Sequence, residues 1–341
     1  MNDKFASWPH RVLAVVTGAL RAITHLMLNI PERPMRWAQR VLGGQRIAWL
    51  FLTPNLIIFS LFTFLPILIN FYYAVTGGVQ LWPSERPFIG TENFQKLFAC
   101  DNYFDYSTCD QDLFWRAIYN SMKFVSIQVV LMVLFSLITA LVLNRKIVGR
   151  GFFRSVYFFP VLLSAVVVAL VWRWILLRDG VLNAIIESMG GEKVLWLLDP
   201  SWSFFWVIFV TVWAQMGFYT LILLAGLQAI PRDVYEAAQM DRASPWRTFR
   251  KITLPLLMPN MIVVLALALI RAVQTFDEVF VLTGGGPGSA TTFLVQYIYN
   301  TGFAQQIQRF GLAAAASLVL AVVLFILTMA QLRASRSKID G

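Results

Sequence analysis

Residues 231–255 read PRDVYEAAQMDRASPWRTFRKITLP, a dense polar pattern set between two long apolar runs. The pattern predicts two short helices. Asp233 is positioned to cap the first, with Glu236 three residues on in a capping-box relation. Ser244 is positioned to cap the second, with Pro245 at the first helical position, where its missing N–H is harmless. Lys and Arg follow near the end of that helix, where they complement its dipole. Asp241-Arg242-Ala243 would turn the chain between the two. Val234, Ala237, Ala238 and Met240 give the first helix small apolar contacts flanked by charge, as in a helix that lies in a partner's groove.

Around this segment the chain is adapted to lipid. Of 341 residues, 58% are hydrophobic and 13% are charged, against about 25% charged in a soluble domain. Six segments have the length of about 20 apolar residues that a spanning helix requires. They lie near Ile47–Val75, Ile118–Leu143, Phe153–Leu176, Phe204–Leu227, Leu256–Leu282 and Leu312–Leu332. The stretches that connect them alternate in charge. Residues 1–46, the second-to-third connection (Arg145, Lys146, Arg150, Arg154), the segment 231–255 and the tail 333–341 are basic. The first and third connections carry the acids, among them Asp101, Asp105, Asp110, Asp179 and Glu187. An excess of Lys and Arg marks the cytoplasmic side, so both termini are predicted to lie there. The formal charge of +10 therefore does not point to nucleic acid, because it is spread between the spans rather than gathered in one patch.

Within residues 1–46, the stretch 12–30 lines Thr17, Arg21, His25 and Asn29 along one helical face. That reads as an amphipathic helix lying on the cytoplasmic leaflet rather than a seventh span, since a central Arg is costly in hydrocarbon. The two cysteines, Cys100 and Cys109, share one outer loop, either as a disulfide or as two free thiols. Catalytic chemistry has no foothold. The sequence has no metal-ligand spacing, no GxSxG, and only His10 and His25 as histidines.

Glu236-Ala237-Ala238, three residues, Arg242, nine residues and Ile252-x-Leu254-Pro255 resemble the EAA loop of bacterial ABC importer permeases, E-A-A-x3-G-x9-I-x-L-P. The flanking LLAGLQAIP (223–231), ITLPLLMP (252–259) and LTGGGPGSATT (282–292) are similar to the carbohydrate-uptake branch, the maltose- and glycerol-3-phosphate-type permeases. The resemblance implies an all-α integral membrane protein with a six-helix, MetI-like permease core over 47–332, here with an N-terminal interfacial helix. It implies residence in the bacterial inner membrane and import of a sugar, oligosaccharide or polyol. It further implies a sister permease, a dimer of ATPase subunits docked on Glu236, Ala237, Ala238, Asp241 and Arg242, and an extracytoplasmic solute-binding protein on the outer loops 75–116 and 284–292. With no GxxxxGK[ST] loop in this chain, ATP and its Mg²⁺ would belong to the partner ATPase, and this chain would bind no cofactor of its own. Arg242 departs from the family glycine. It leaves two expectations for the turn, a negative φ at Arg242 or a left-handed Asp241.

Polar groups inside spans are candidate functional sites. In the fifth segment Arg271, Gln274 and Glu278 share one face of a continuous helix, with Thr275 beside them. In the fourth, Gln215, Phe218, Tyr219 and Trp213 offer an amide, rings and a hydroxyl suited to sugars. Arg271 could serve the substrate, including a glycerol-3-phosphate or related phosphodiester, or simply pair with Glu278. Lys123, Gln128 and Arg173 are weaker candidates of the same kind. Trp172, Trp174, Trp202 and Trp206 read as an interfacial belt. The small residues of FGLAAAAS (310–317) read as a contact with a partner permease. The rival outside this family is a stand-alone secondary transporter, which inverted repeats with broken helices would favour; the sequence has no such symmetry.

Overall fold

A computed structural model describes residues 49, 51–145 and 148–339. The candidate helix at 12–30 lies outside the described residues. The chain divides into two units, Met1–Asn70 and Phe71–Gly341. The described part of the first is a helical segment, residues 51–70, with a π turn at Ser60–Phe64 and apolar side chains exposed along its length. It belongs to α1, Phe51–Ala74. A helix that is apolar on all sides suits lipid.

Within the second unit, α2 (Glu92–Phe98) is a short outer-loop helix and α3 runs Asp112–Asn144. Helices α4 (Arg150–Phe158) and α5 (Ala165–Leu176) follow, then α6 (Val181–Ser188) and α7 (Pro200–Ala229). Next come α8 (Arg232–Met240), α9 (Pro245–Val273), α10 (Asp277–Leu282), α11 (Leu294–Tyr299) and α12 (Phe310–Ile339). Among the described residues, α1, α3, α7, α9 and the stretch Phe310–Arg333 of α12 are each long and apolar enough to cross a bilayer. The expected third span is not one straight helix. Its two arms, Arg150–Leu162 and Ala165–Ser188, meet at 100°.

The core is built around α3 and α7, which form the most extensive pairing. Ser136 of α3 donates to the Met216 carbonyl at 3.2 Å, and Phe124 stacks on Phe293 with ring centroids 4.4 Å apart. Helix α7 starts sharply because Asp199 accepts hydrogen bonds from the Ser201 and Trp202 amides, with Pro200 in the first turn. Where the bent span crosses α7, Gly217 permits backbone contact. A Cβ at 217 would collide with the Tyr157 carbonyl oxygen.

Several expectations change here. Trp172 and Trp206 have a packing role that the belt reading did not include. Their rings pack together at 5.7 Å and against Phe209 at 5.2 and 5.3 Å, so they close the core between α5 and α7. The small residues 310–317 are used inside this chain. Ala314, Ala315 and Ala316 are buried with Ala74, Leu97 and Phe114, and a Cβ at Gly311 would strike the Thr76 carbonyl. Small side chains do report close approach, but the neighbour is the chain's own outer segment. Asn183, which stood out in no pattern, is fully buried and organises the loop after α5. Its amide donates to Arg178 and Val194 carbonyls, and its oxygen accepts from the Val194 amide and the Trp196 indole.

The Gly217 contact generates a prediction. Gly217→Val should destabilise the protein by about 1–3 kcal/mol, because it is backbone rather than a flexible side chain that must move. Thermal unfolding of the detergent-solubilised protein measures this. An unchanged midpoint would mean that α7 and the bent span do not touch there.

Candidate functional site

The polar segment 231–255 forms a hairpin whose second arm has no end of its own. Ser244 accepts from the Arg247 amide at 3.3 Å, and Pro245 opens the helix as expected. From there α9 runs through a π turn at Phe249–Thr253 and continues unbroken to Val273, 29 residues in all. The Lys and Arg of the segment therefore do not complement a helix terminus; Arg250 and Lys251 sit in that π turn. Helix α8 is tied to the same turn, since the Tyr235 hydroxyl lies 3.2 Å from Thr253 Oγ1.

Two local expectations fail in this hairpin. Helix α8 begins at Arg232 behind Pro231, so Asp233 lies inside the first turn and makes no cap. Its charge still complements the helix N-terminus. At the other end Arg242 itself is left-handed, with φ 51°, the one non-glycine residue with positive φ among the described residues. The Arg242 amide bonds to the Gln239 carbonyl and the Ala243 amide to the Ala238 carbonyl, each at 3.0 Å. That pair of bonds is a Schellman motif, whose geometry demands a left-handed residue at this position. Neither a negative φ at Arg242 nor a left-handed Asp241 occurs. Glu236 and Ala237 are exposed on α8, whereas Ala238 is buried at the hairpin's inner face. A groove of about 640 Å³ runs beneath the hairpin, between Leu141, Asn144, Leu227, Tyr235 and Trp246.

The second site lies in the spans. Helix α9 stops at Val273, so Arg271 and Glu278 are not on one continuous helix. The chain turns through Gln274–Phe276 and brings Glu278 of α10 back onto Arg271. Arg271 Nη2 lies 2.9 Å from Glu278 Oε1, and Gln215 Nε2 of α7 donates to the same oxygen at 3.2 Å. Glu278 is only 3% exposed while Arg271 is 39% exposed. Among the described residues, Glu278 Oε2 is buried and has no hydrogen-bond partner. Beside the cluster is a cavity of about 290 Å³, lined by Gln215, Phe218, Arg271 and Glu278 and by Pro160 and Leu163 at the bend of the third span.

The other candidates fall elsewhere. Thr275 is buried and bonds back to the Arg271 carbonyl at 3.1 Å, so it fastens the turn. Gln274 is exposed, and Tyr219 is buried in the core without lining the cavity. Lys123 lies exposed over the Phe204 ring, and Arg173 donates to the Val281 carbonyl. Gln128 is buried with its oxygen unpartnered among the described residues. The contribution of the bend at Pro160–Leu163 was missed by sequence reasoning. Pro160 was its visible signal, but prolines are tolerated in unbroken membrane helices too. In the outer loop, Cys100 and Cys109 form a disulfide.

The sequence model of one family, "Binding-protein-dependent transport system inner membrane component", matches residues 132–339. The trehalose/maltose transport system permease protein of Thermococcus litoralis is 34% identical over 299 residues, covering 86% of this chain and 95% of that protein. The sulfoquinovosyl glycerol transport system permease protein of Agrobacterium fabrum is 33% identical, covering 89% and 94%. Among solved structures, a chain of a bacterial ABC transporter involved in import of the acidic polysaccharide alginate aligns with TM-score 0.71 at 25% identity. That match covers 90% of this chain and 99% of the solved one.

Substitutions at Arg271, Glu278 and Arg242 probe the geometry. Arg271→Met leaves a buried carboxylate uncompensated and should cost about 2 kcal/mol, less than a fully buried pair because Arg271 reaches solvent. The double change Arg271→Met with Glu278→Leu should recover most of that loss in thermal unfolding. Separately, Arg242→Gly should raise stability by about 1 kcal/mol, since glycine takes φ near 50° without a Cβ penalty. A loss on Arg242→Gly would show that the Arg side chain outweighs its backbone strain.

Proposed function

The chain belongs to the binding-protein-dependent transport system inner membrane components, and from that membership and its polar intramembrane cluster we propose a permease subunit of an ATP-driven importer of neutral sugars, oligosaccharides or polyols. The observation that carries the substrate reading is the buried Glu278, fixed by Arg271 and Gln215 beside a cavity that all three side chains help to line. The partly exposed Arg271 offers donors to a sugar hydroxyl from the cavity wall, and the exposed Phe218 ring offers a face for sugar C–H groups. Arg271 is already neutralised by Glu278. That favours an uncharged ligand over a phosphodiester, for which a free cation would be wanted.

In this reading the ATPase docks on α8 in the cytoplasm, where the positive-inside rule assigns the hairpin and both termini. Closure of the ATPase dimer pushes α8. Tyr235 and Thr253 pass the displacement to α9, which spans about 43 Å as one helix and carries Arg271 near its far end. Arg271 then shifts against Gln215 on α7 and Glu278 on α10, so the polar cluster is remade in each half-cycle. A solute-binding protein delivers the sugar from outside, and a sister permease completes the pathway.

The test is ATP-driven uptake by the assembled complex in proteoliposomes, over a panel of neutral oligosaccharides, polyols, uronates and glycerol phosphodiesters. Uptake of neutral sugars that needs both ATP and binding protein is expected. Glu278→Leu with Arg271→Met should lower it about tenfold or more while the fold persists. Uptake confined to phosphodiesters would overturn the substrate reading, and uptake without ATP would overturn the importer.

A further inference from the structure

The outer loop between α2 and α3 ends in a small, stiff knob. Residues 100–109, CDNYFDYSTC, are closed by the Cys100–Cys109 disulfide and braced from within. Asn102 Oδ1 accepts from the Phe104 amide, and Asp105 Oδ1 accepts from the Ser107 amide and hydroxyl at 3.0 and 2.7 Å. Thr108 Oγ1 donates to the Asp105 carbonyl at 2.8 Å. The base of the knob is equally fixed. The Tyr103 ring meets Trp115 edge-on at 5.2 Å, and the Trp115 indole donates to the Leu97 carbonyl. Arg116 lies 4.6 Å over the Tyr106 ring and donates to Ser289, which joins the knob to the 284–292 loop.

Held at the front of this frame, Phe104 is 100% exposed and Tyr103 is 57% exposed. An exposed aromatic on a mobile loop is unremarkable, but this one is pre-ordered, which lowers the entropy cost of engaging a partner. Its surroundings narrow the partner. Residues 99–112 contain Asp101, Asp105, Asp110 and Asp112 and no Lys or Arg. The Ser107 hydroxyl and amide hold the Asp105 carboxyl below its usual range, so it stays ionised. Arg116 pairs with Asp112 at 3.7 Å, which leaves Asp101, Asp105 and Asp110 to be repelled by an anionic bilayer surface, and aromatic residues at a bilayer interface are not normally ringed by acids. A soluble protein with an apolar hollow rimmed by Lys or Arg fits both features.

We propose that the disulfide-closed knob at 100–109 is the docking point for the solute-binding protein, with Phe104 as its anchor. The inference rests on the importer reading. It also revises the expected docking surface. The 284–292 loop holds Ser289 and Thr291 inside and is gripped by Arg116 and Asn120, so it buttresses the knob, and only its glycines Gly284 and Gly288 are exposed.

Photocrosslinking in cells that make the complete transporter tests this. p-Benzoylphenylalanine replaces Phe104 in one strain and the exposed Met240 of α8 in another, with adducts identified by mass spectrometry. The expected result is a solute-binding protein on position 104 and the ATPase on position 240. The ATPase on 240 together with the sister permease, lipid or nothing on 104 would overturn the docking proposal and leave the importer standing. Failure of both positions would overturn the importer reading and the docking proposal with it. Phe104→Asp should also weaken binding-protein affinity of the purified complex roughly tenfold or more; unchanged affinity would equally overturn the proposal.

Discussion

Inside hydrocarbon no water is available to satisfy a backbone N–H or C=O, so a spanning chain remains helical unless protein or a polar cavity covers the break. This constraint accounts for the arrangement of α3, α7 and α9 and also for their exceptions. The chain leaves regular helix near Leu163–Ser164 and again at Gln274–Phe276. Both interruptions flank the same cavity, one supplying Pro160 and Leu163, the other Arg271 and Glu278. Both of these breaks in regular helix therefore border one polar-lined cavity. The buried carboxylate of Glu278 is tolerable at that depth because the turn at 274–276 returns it to Arg271 and Gln215.

The parts of the fold set by simple counting were legible in the sequence. Length and hydropathy reveal a spanning helix because the bilayer fixes its thickness, and Ser244-Pro245 reveals a helix start because local bonds alone decide it. The parts set by tertiary contact were not legible. Nothing around Gln274-Thr275-Phe276 contains glycine or proline, so the break that turns Glu278 back onto Arg271 leaves no local mark. The small residues of 310–317 announced close packing but not the partner. Trp172 and Trp206 resembled every other tryptophan near a boundary until α5 was folded against α7. In the site, the pairing of Arg271 with Glu278 was one of two readings of the same charges. Gln215 belonged to it, whereas Gln274 and Tyr219 fell outside.

Arg242 illustrates how a backbone motif can prevail over side-chain preference. The Schellman bonds to Ala238 and Gln239 close helix α8 and aim the chain at Ser244, which must cap α9. A left-handed Arg costs about 1–2 kcal/mol, less than two carbonyls left open and a misdirected helix would cost together. The hairpin thus keeps its shape without the glycine, at a measurable local strain.

The uninterrupted course of α9 has a mechanical consequence. In the proposed importer, a helix continuous from Pro245 to Val273, through the π turn at Phe249–Thr253 and past Pro259, would act as a lever with the hairpin as its short arm and the span as its long arm. A tilt of about 10° at the base sweeps the far end through about 7 Å for a helix of this length. Under the proposed importer reading, such an amplitude would turn a modest rotation of the hairpin into a displacement on the scale of a sugar ring at the far end of the helix.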